Sequence, residues 1–159
     1  MIELATITAA IGAATSAVTL IDKISDQITR VIGKTSEPDV PKEHRMKIEK
    51  DGDAIVSKQN GKEYQRITAK DLEQLPEADL RHIKVLEQSM ENHYSIWASV
   101  YPQLALSIDP IAKAKIEQQL KGIISDMKND FDGILGFLEQ SGISLDDHYM
   151  HIRNLVRSV

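Results

Sequence analysis

The run from Leu4 to Ile21 carries no formally charged residue and is rich in Ala, Thr, Gly and Ser, so wherever this chain folds that run must bury one side. Through it and beyond, Leu4, Ile7, Ile11, Ala14, Val18, Ile21, Ser25, Ile28 and Ile32 recur at alternating steps of three and four. That is the stripe of an amphipathic helix. The spacing predicts one helix from about Ala5 to Ile32, roughly 40 Å long at 1.5 Å per residue, stopped by Gly33. An uncharged run of this length sits at the lower edge of what crosses a bilayer. Thr6, Thr8, Thr15, Ser16 and Thr19 make it less apolar than an ordinary span. Ala5, Ala9, Ala13 and Ala17 form a ridge of small side chains, and Gly12 with Ser16 a second. Such ridges let helix backbones approach closely in a soluble bundle, between copies, or in lipid. Leu4, Ile7, Ile11, Ala13, Ala17, Val18, Ile21 and Ile28 are therefore the candidate interaction or membrane face of this helix.

The rest of the chain divides by pattern. Residues 34–43 carry Ser36, Pro38 and Pro41 among charges with no apolar period, and read as a connector after a helical segment spanning 1–33. Over 44–68 short runs are punctuated by Asp51-Gly52 and Asn60-Gly61, dipeptides suited to tight hairpin turns, which predicts a three-stranded meander. Its apolar groups are Met46, Ile48, Ile55, Val56, Tyr64 and Ile67, thin enough to require packing on a helix or a partner.

Residues 69–159 read as helical. Thr68 with Asp71 resembles a capping pair, and Pro76 suits a first turn. Leu80, Ile83, Leu86, Met90, Tyr94, Trp97 and Tyr101 make the next stripe, which Pro102 should end. Asp109-Pro110 opens a long helix striped by Ile116, Leu120, Ile123, Met127, Phe131, Ile134 and Leu138 and closed by Gly142. Gly122, Gly133 and Gly136 inside it suggest close backbone contact, with the small ridge of the first helix as the expected neighbour. Ser144 with Asp147 caps a last helix. The expected fold is mainly α, a four-helix up-and-down bundle with a small three-stranded antiparallel meander after the first helix, together one globular domain.

A chain of 159 residues is long enough for one core without staples, and the absence of cysteine removes disulfides, thiol catalysis and cysteine metal sites. A net charge of −5 argues against a nucleic-acid partner. The amino terminus lacks the positive region and cleavage site of a secretory signal, which predicts a cytoplasmic protein, membrane-associated in one of the readings below.

Chemistry-bearing clusters are few. His148 and His151, three apart beside Asp146 and Asp147, have the residue types of a divalent-metal site. Asp146 and Asp147 are equally explained as first-turn carboxylates that complement a helix amino end. Asp79 with His82 repeats a carboxylate-x-x-His spacing, but Asp147 and His151 are four apart and the match to a di-metal bundle fails. Glu87, Glu91 and His93 with Tyr94 have the residue types of an acid/base group near an aromatic pocket, but Glu87 and Glu91, at i, i+4 on a face beside the stripe, are ordinary solvated carboxylates. No Gly-x-Ser-x-Gly elbow and no phosphate-cradling glycine loop is present. Tyr94, Trp97 and Tyr101 share one helical face, as core or, if exposed, as a partner anchor.

These residues lead to a non-enzymatic helical interaction or regulatory module, acting through its first helix on a protein partner or a second copy, with no cofactor. The alternative is a membrane-active effector whose first helix leaves the bundle for lipid. A third reading is a metal-dependent enzyme with its site near His148 and His151.

Overall fold

The computed structural model describes residues 2–33 and 39–159; of the expected connector over 34–43, residues 34–38 lie outside the described residues. The chain is mainly helical, with a small three-stranded antiparallel sheet after the first helix. Helix α1 runs Leu4–Ile32 and ends at Gly33, whose φ of 92° only glycine adopts cheaply. The sheet follows as β1 (Lys47–Asp51), β2 (Ala54–Gln59) and β3 (Lys62–Thr68), in that order. Its second turn is Asn60-Gly61, with φ of 53° and 78°, the paired positive values of a type I′ hairpin. The first turn falls at Gly52-Asp53, one residue later than the Asp51-Gly52 dipeptide suggested, because Asp51 pairs with Ala54. Ile48, Ile55 and Ile67 point one side of the sheet into the core, whereas Tyr64, counted among the apolar groups of the meander, is exposed.

The helical remainder has more pieces than the expected four-helix bundle. After the single turn α2 (Ala69–Leu72), held by the Thr68/Asp71 capping box, come α3 (Glu77–Val100) and a second single turn, α4 (Gln103–Leu106). Then follow α5 (Pro110–Asp126), α6 (Lys128–Ser141) and α7 (Asp147–Arg157). Asp109 caps α5 by accepting from the Ile111 amide, with Pro110 in the first turn. The stripe from Ile116 to Leu138 predicts one helix. It is two, because Met127 sits at φ −84°, ψ −4°, off helical values, and both pieces pack on α3. Asp146, not Ser144, caps α7, accepting from the Tyr149 amide.

Side-chain pairings set the directions of the long helices. Lys23 lies over Tyr94, Gln27 bonds Trp97 and Arg30 bonds Tyr101, so the contacts advance in step and α1 and α3 run parallel. An up-and-down arrangement would have made these neighbours antiparallel; the sheet between them carries the chain back instead. Between α3 and α6 the pairs Asp79–Gln140 and His93–Asp130 converge in opposite order, so those two are antiparallel. Gly133 makes the close approach expected of it, but to Leu86 of α3 and not to the small ridge of α1; Gly122 and Gly136 face open space.

Candidate functional site

Helix α1 is the central element of the core. Ile7, Ile11, Ala13, Ala17, Val18, Ile21 and Ile28 are all buried, against α3, α6, α7 and the sheet. The candidate face is thus covered by the protein itself along most of its length. Leu4 departs from the expected stripe and is exposed, as are Ala5 and Ala9 of the small ridge. Gly12 and Ser16 lie beside Ile48, Glu49 and Lys50, so that second ridge admits β1. The helix is long and apolar enough to cross a membrane by length and composition, and half of its most apolar stretch is buried in the protein.

What α1 leaves open is a groove of about 770 Å³ between its first turns and α3. Ala5, Thr6 and Ala9 form one wall, and Leu80, Lys84 and Val85 belong to the other. Val85 is 61% exposed although it sits on a helix with a well-buried stripe.

The aromatic trio meets the carboxyl-terminal half of α1. Trp97 is wholly buried, donates from Nε1 to Gln27 Oε1 at 2.6 Å and stacks on Tyr101 at 5.6 Å between centroids. Tyr94 and Tyr101 are half-buried, Tyr94 beneath the Lys23 ammonium and Tyr101 accepting from Arg30. The offered partner anchor is therefore core at Trp97, with Tyr94 and Tyr101 half-buried beside it.

A polar cluster that no local pattern announced ties the middle of α1 to α7 and to the segment leading into the sheet. The Tyr149 hydroxyl donates to Asp22 at 2.8 Å. Asp146 accepts from the Met46 amide at 2.9 Å while also capping α7. Arg45 donates to Asp26 at 2.9 Å, to Asp39 at 3.1 Å and to the Val40 carbonyl, and Asp39 in turn meets Nδ1 of buried His148 at 2.9 Å. Burial and the neighbouring Asp22 carboxyl push the Tyr149 phenol well above its ordinary value, so at neutral pH it remains a donor.

Burial raises the Asp22 carboxyl to about 6; the Tyr149 hydrogen bond opposes this and the Asp146 charge adds to it. Asp22 as a residue is exposed, so only its carboxyl end against Tyr149 is enclosed and water screens the effect. Because the folded state holds this proton more tightly than the unfolded chain, the stabilisation is complete below the ordinary carboxyl value and is lost as pH rises through about 6. Urea midpoints of the wild type should therefore rise, relative to those of Asp22→Asn, as pH falls from 7 to 4. Parallel pH curves for the two proteins would contradict this assignment.

The histidines are placed as follows. His148 is buried and held by Asp39, His151 is half-buried one turn on, and no group of three or more His, Cys, Asp or Glu side chains suited to a metal occurs among the described residues. His93 is not grouped with Glu87 and Glu91; its Nδ1 meets buried Asp130 of α6 at 2.6 Å, a pairing that joins α3 to α6. Asp79 accepts from Gln140 and is likewise a link between those helices. Set against family models, curated proteins and solved structures, the chain matches none of them.

Proposed function

We propose that the protein is a non-enzymatic interaction module, and that the amino-terminal half of α1 with α3 receives one acidic amphipathic helix of a protein partner. The groove between Ala5, Ala9 and Val85 carries this reading. Small residues on one wall admit a helix at the 8–10 Å axial separation of packed helices, and Val85 and Leu4 supply exposed apolar surface beside them. Among the described residues, the side chains lining the groove include Arg81 and Lys84 and no carboxylate, in a chain whose net charge is −5. That local excess of positive charge favours an acidic occupant. Arg81 is paired with Glu77 at 2.7 Å and also feels the charge of Glu3 at the start of α1, which leaves Lys84 as the main determinant of sign.

A synthetic acidic amphipathic helix with small apolar residues at i, i+4 is the probe, read by fluorescence anisotropy against a lysine-substituted version. Ala9→Trp, which fills the groove from an exposed position, and Lys84→Glu should each weaken binding of the acidic helix by about tenfold or more. Equal affinity for both peptides, or no loss in the two variants, would overturn the reading. Concentration-dependent dimerisation abolished by Ala9→Trp would replace the foreign helix with a second copy.

The uncharged length of α1 favours one other reading, release of that helix into a bilayer. Leakage of dye from vesicles by the intact protein supports it, and vesicles that stay sealed at all protein concentrations remove it.

A further inference from the structure

Where the sheet meets the segment entering α7, a cavity of about 400 Å³ is lined by β2 and β3 on one side and by Met46, Ser144 and Asp146 on the other. Ser57 is its most enclosed residue, 1% exposed, and the Ser57 hydroxyl has no hydrogen-bond partner among the described residues. A buried hydroxyl left unpaired destabilises a fold, so its presence in the wall of a cavity points to a partner that the chain itself does not supply.

An irregularity of the sheet falls at the same place. Ser57 pairs with Gln65 but Lys58 with Glu63, so Tyr64 is the extra residue of a β-bulge. Neighbours on a regular strand face opposite sides of a sheet, whereas Tyr64 and Gln65 both line the cavity, with Tyr64 71% exposed. The facing wall is fixed by a clasp in which the Met46 amide donates to Asp146 at 2.9 Å and the Asp146 amide to the Met46 sulphur at 3.2 Å. The Gln65 side chain is held as well, donating to the Gly142 carbonyl and accepting from the Ser144 amide.

These engagements restrict what the cavity can take. The Lys58 ammonium already meets Glu49 at 3.0 Å, and both Asp146 oxygens accept backbone amides, so neither charge waits for a counter-ion. The side-chain groups left to meet a ligand are neutral: the hydroxyls of Ser57, Tyr64 and Ser144, and the Gln59 carbonyl oxygen, whose amide nitrogen donates to the His44 carbonyl. Neutral donors and acceptors beside an exposed aromatic ring suit a sugar, which carries hydroxyls at its edge and a flat carbon face.

We propose that this cavity binds a small neutral sugar, its carbon face on Tyr64 and one hydroxyl completing the hydrogen bonding of Ser57. The site shares no lining residue with the α1–α3 groove. Isotope-labelled intact protein titrated with glucose, galactose and N-acetylglucosamine should give saturable amide shifts at Ser57, Gln59 and Ser144 with at least one of them. Ser57→Ala should weaken that binding by about tenfold, the loss of one hydrogen bond, and leave the urea midpoint unchanged or higher. Tyr64→Ala should also weaken it by about tenfold, without moving the midpoint, because the ring is exposed. Sorbitol, an open-chain polyol without a flat face, should bind more weakly than the sugar.

No saturable shift with any of the sugars overturns the proposal, as does affinity unchanged in either variant or equal binding of sorbitol. Tighter binding of the phosphate ester of the same sugar overturns it by assigning the cavity to an anion. A urea midpoint that falls in Ser57→Ala overturns it too, since the hydroxyl would then have its partner within the protein.

Discussion

Removal of residues 1–33 is expected to leave a chain that no longer unfolds cooperatively. Ile7, Ile11, Val18, Ile21, Ile24 and Ile28 are each at most 1% exposed, and they fill the space between α3, α6, α7 and the sheet. Burying an aliphatic side chain of this kind contributes about 1.5–3 kcal/mol. Six of them match or exceed the whole net stability of an ordinary domain, about 5–15 kcal/mol. The truncated protein should lose its near-ultraviolet dichroism, bind a hydrophobic dye and show a broad, non-sigmoidal urea response. A sharp transition in the truncated chain would show instead that α1 is an arm resting on an autonomous bundle. An interaction module that uses α1 as a detachable segment would then regain its basis.

The second large effect is expected at Trp97. Its replacement by alanine should lower stability by about 3–5 kcal/mol, because the indole gives up its burial and leaves a cavity that the neighbouring helices close only in part. Gln27 loses the indole donor at 2.6 Å and Tyr101 loses its stacking partner, so the damage is concentrated along the α1–α3 seam. Trp97→Phe keeps most of the ring but leaves the Gln27 oxygen without its partner, and about 1–3 kcal/mol is expected. Since Trp97 is the sole tryptophan, both variants have to be followed by far-ultraviolet dichroism in urea. A loss below about 1 kcal/mol in the alanine variant would mean that the seam is loosely packed.

Local signals carried much of the fold. The three-four step of Ile7, Ile11, Val18 and Ile21 marks α1, because a helix buried on one side needs apolar groups at that period. Asn60-Gly61 marks a hairpin because both residues adopt positive φ, and Asp109-Pro110 opens α5 because an aspartate satisfies a free amide beside a proline that lacks one. The break at Met127 was not legible: neither proline nor glycine stands there, and the apolar stripe continues across it.

The candidate surfaces follow the same division. In sequence, Asp22 simply falls between members of the α1 stripe, and Asp146 reads as a first-turn carboxylate. That the first meets Tyr149, and the second the amide of Met46, depends on segments about a hundred residues apart, which no periodicity encodes. The groove is also a property of how α1 and α3 sit together. In sequence, Val85 is one aliphatic among many.

The in-step pairing of α1 with α3 has a consequence for how the protein is made. Gln27 and Arg30 find Trp97 and Tyr101 at sequence separations of 70 and 71, and Asp22 waits for Tyr149, 127 positions later. During synthesis at about 5–20 residues per second, the most apolar helix leaves the ribosome before α3 and α7 and stays without these neighbours for several seconds. A nascent chain of this kind offers a long greasy segment to chaperones, or to its own siblings on a polysome, before the fold can close over it. Its yield in cells should therefore depend on translation speed and chaperone supply more steeply than that of a bundle whose helices pack in order of appearance.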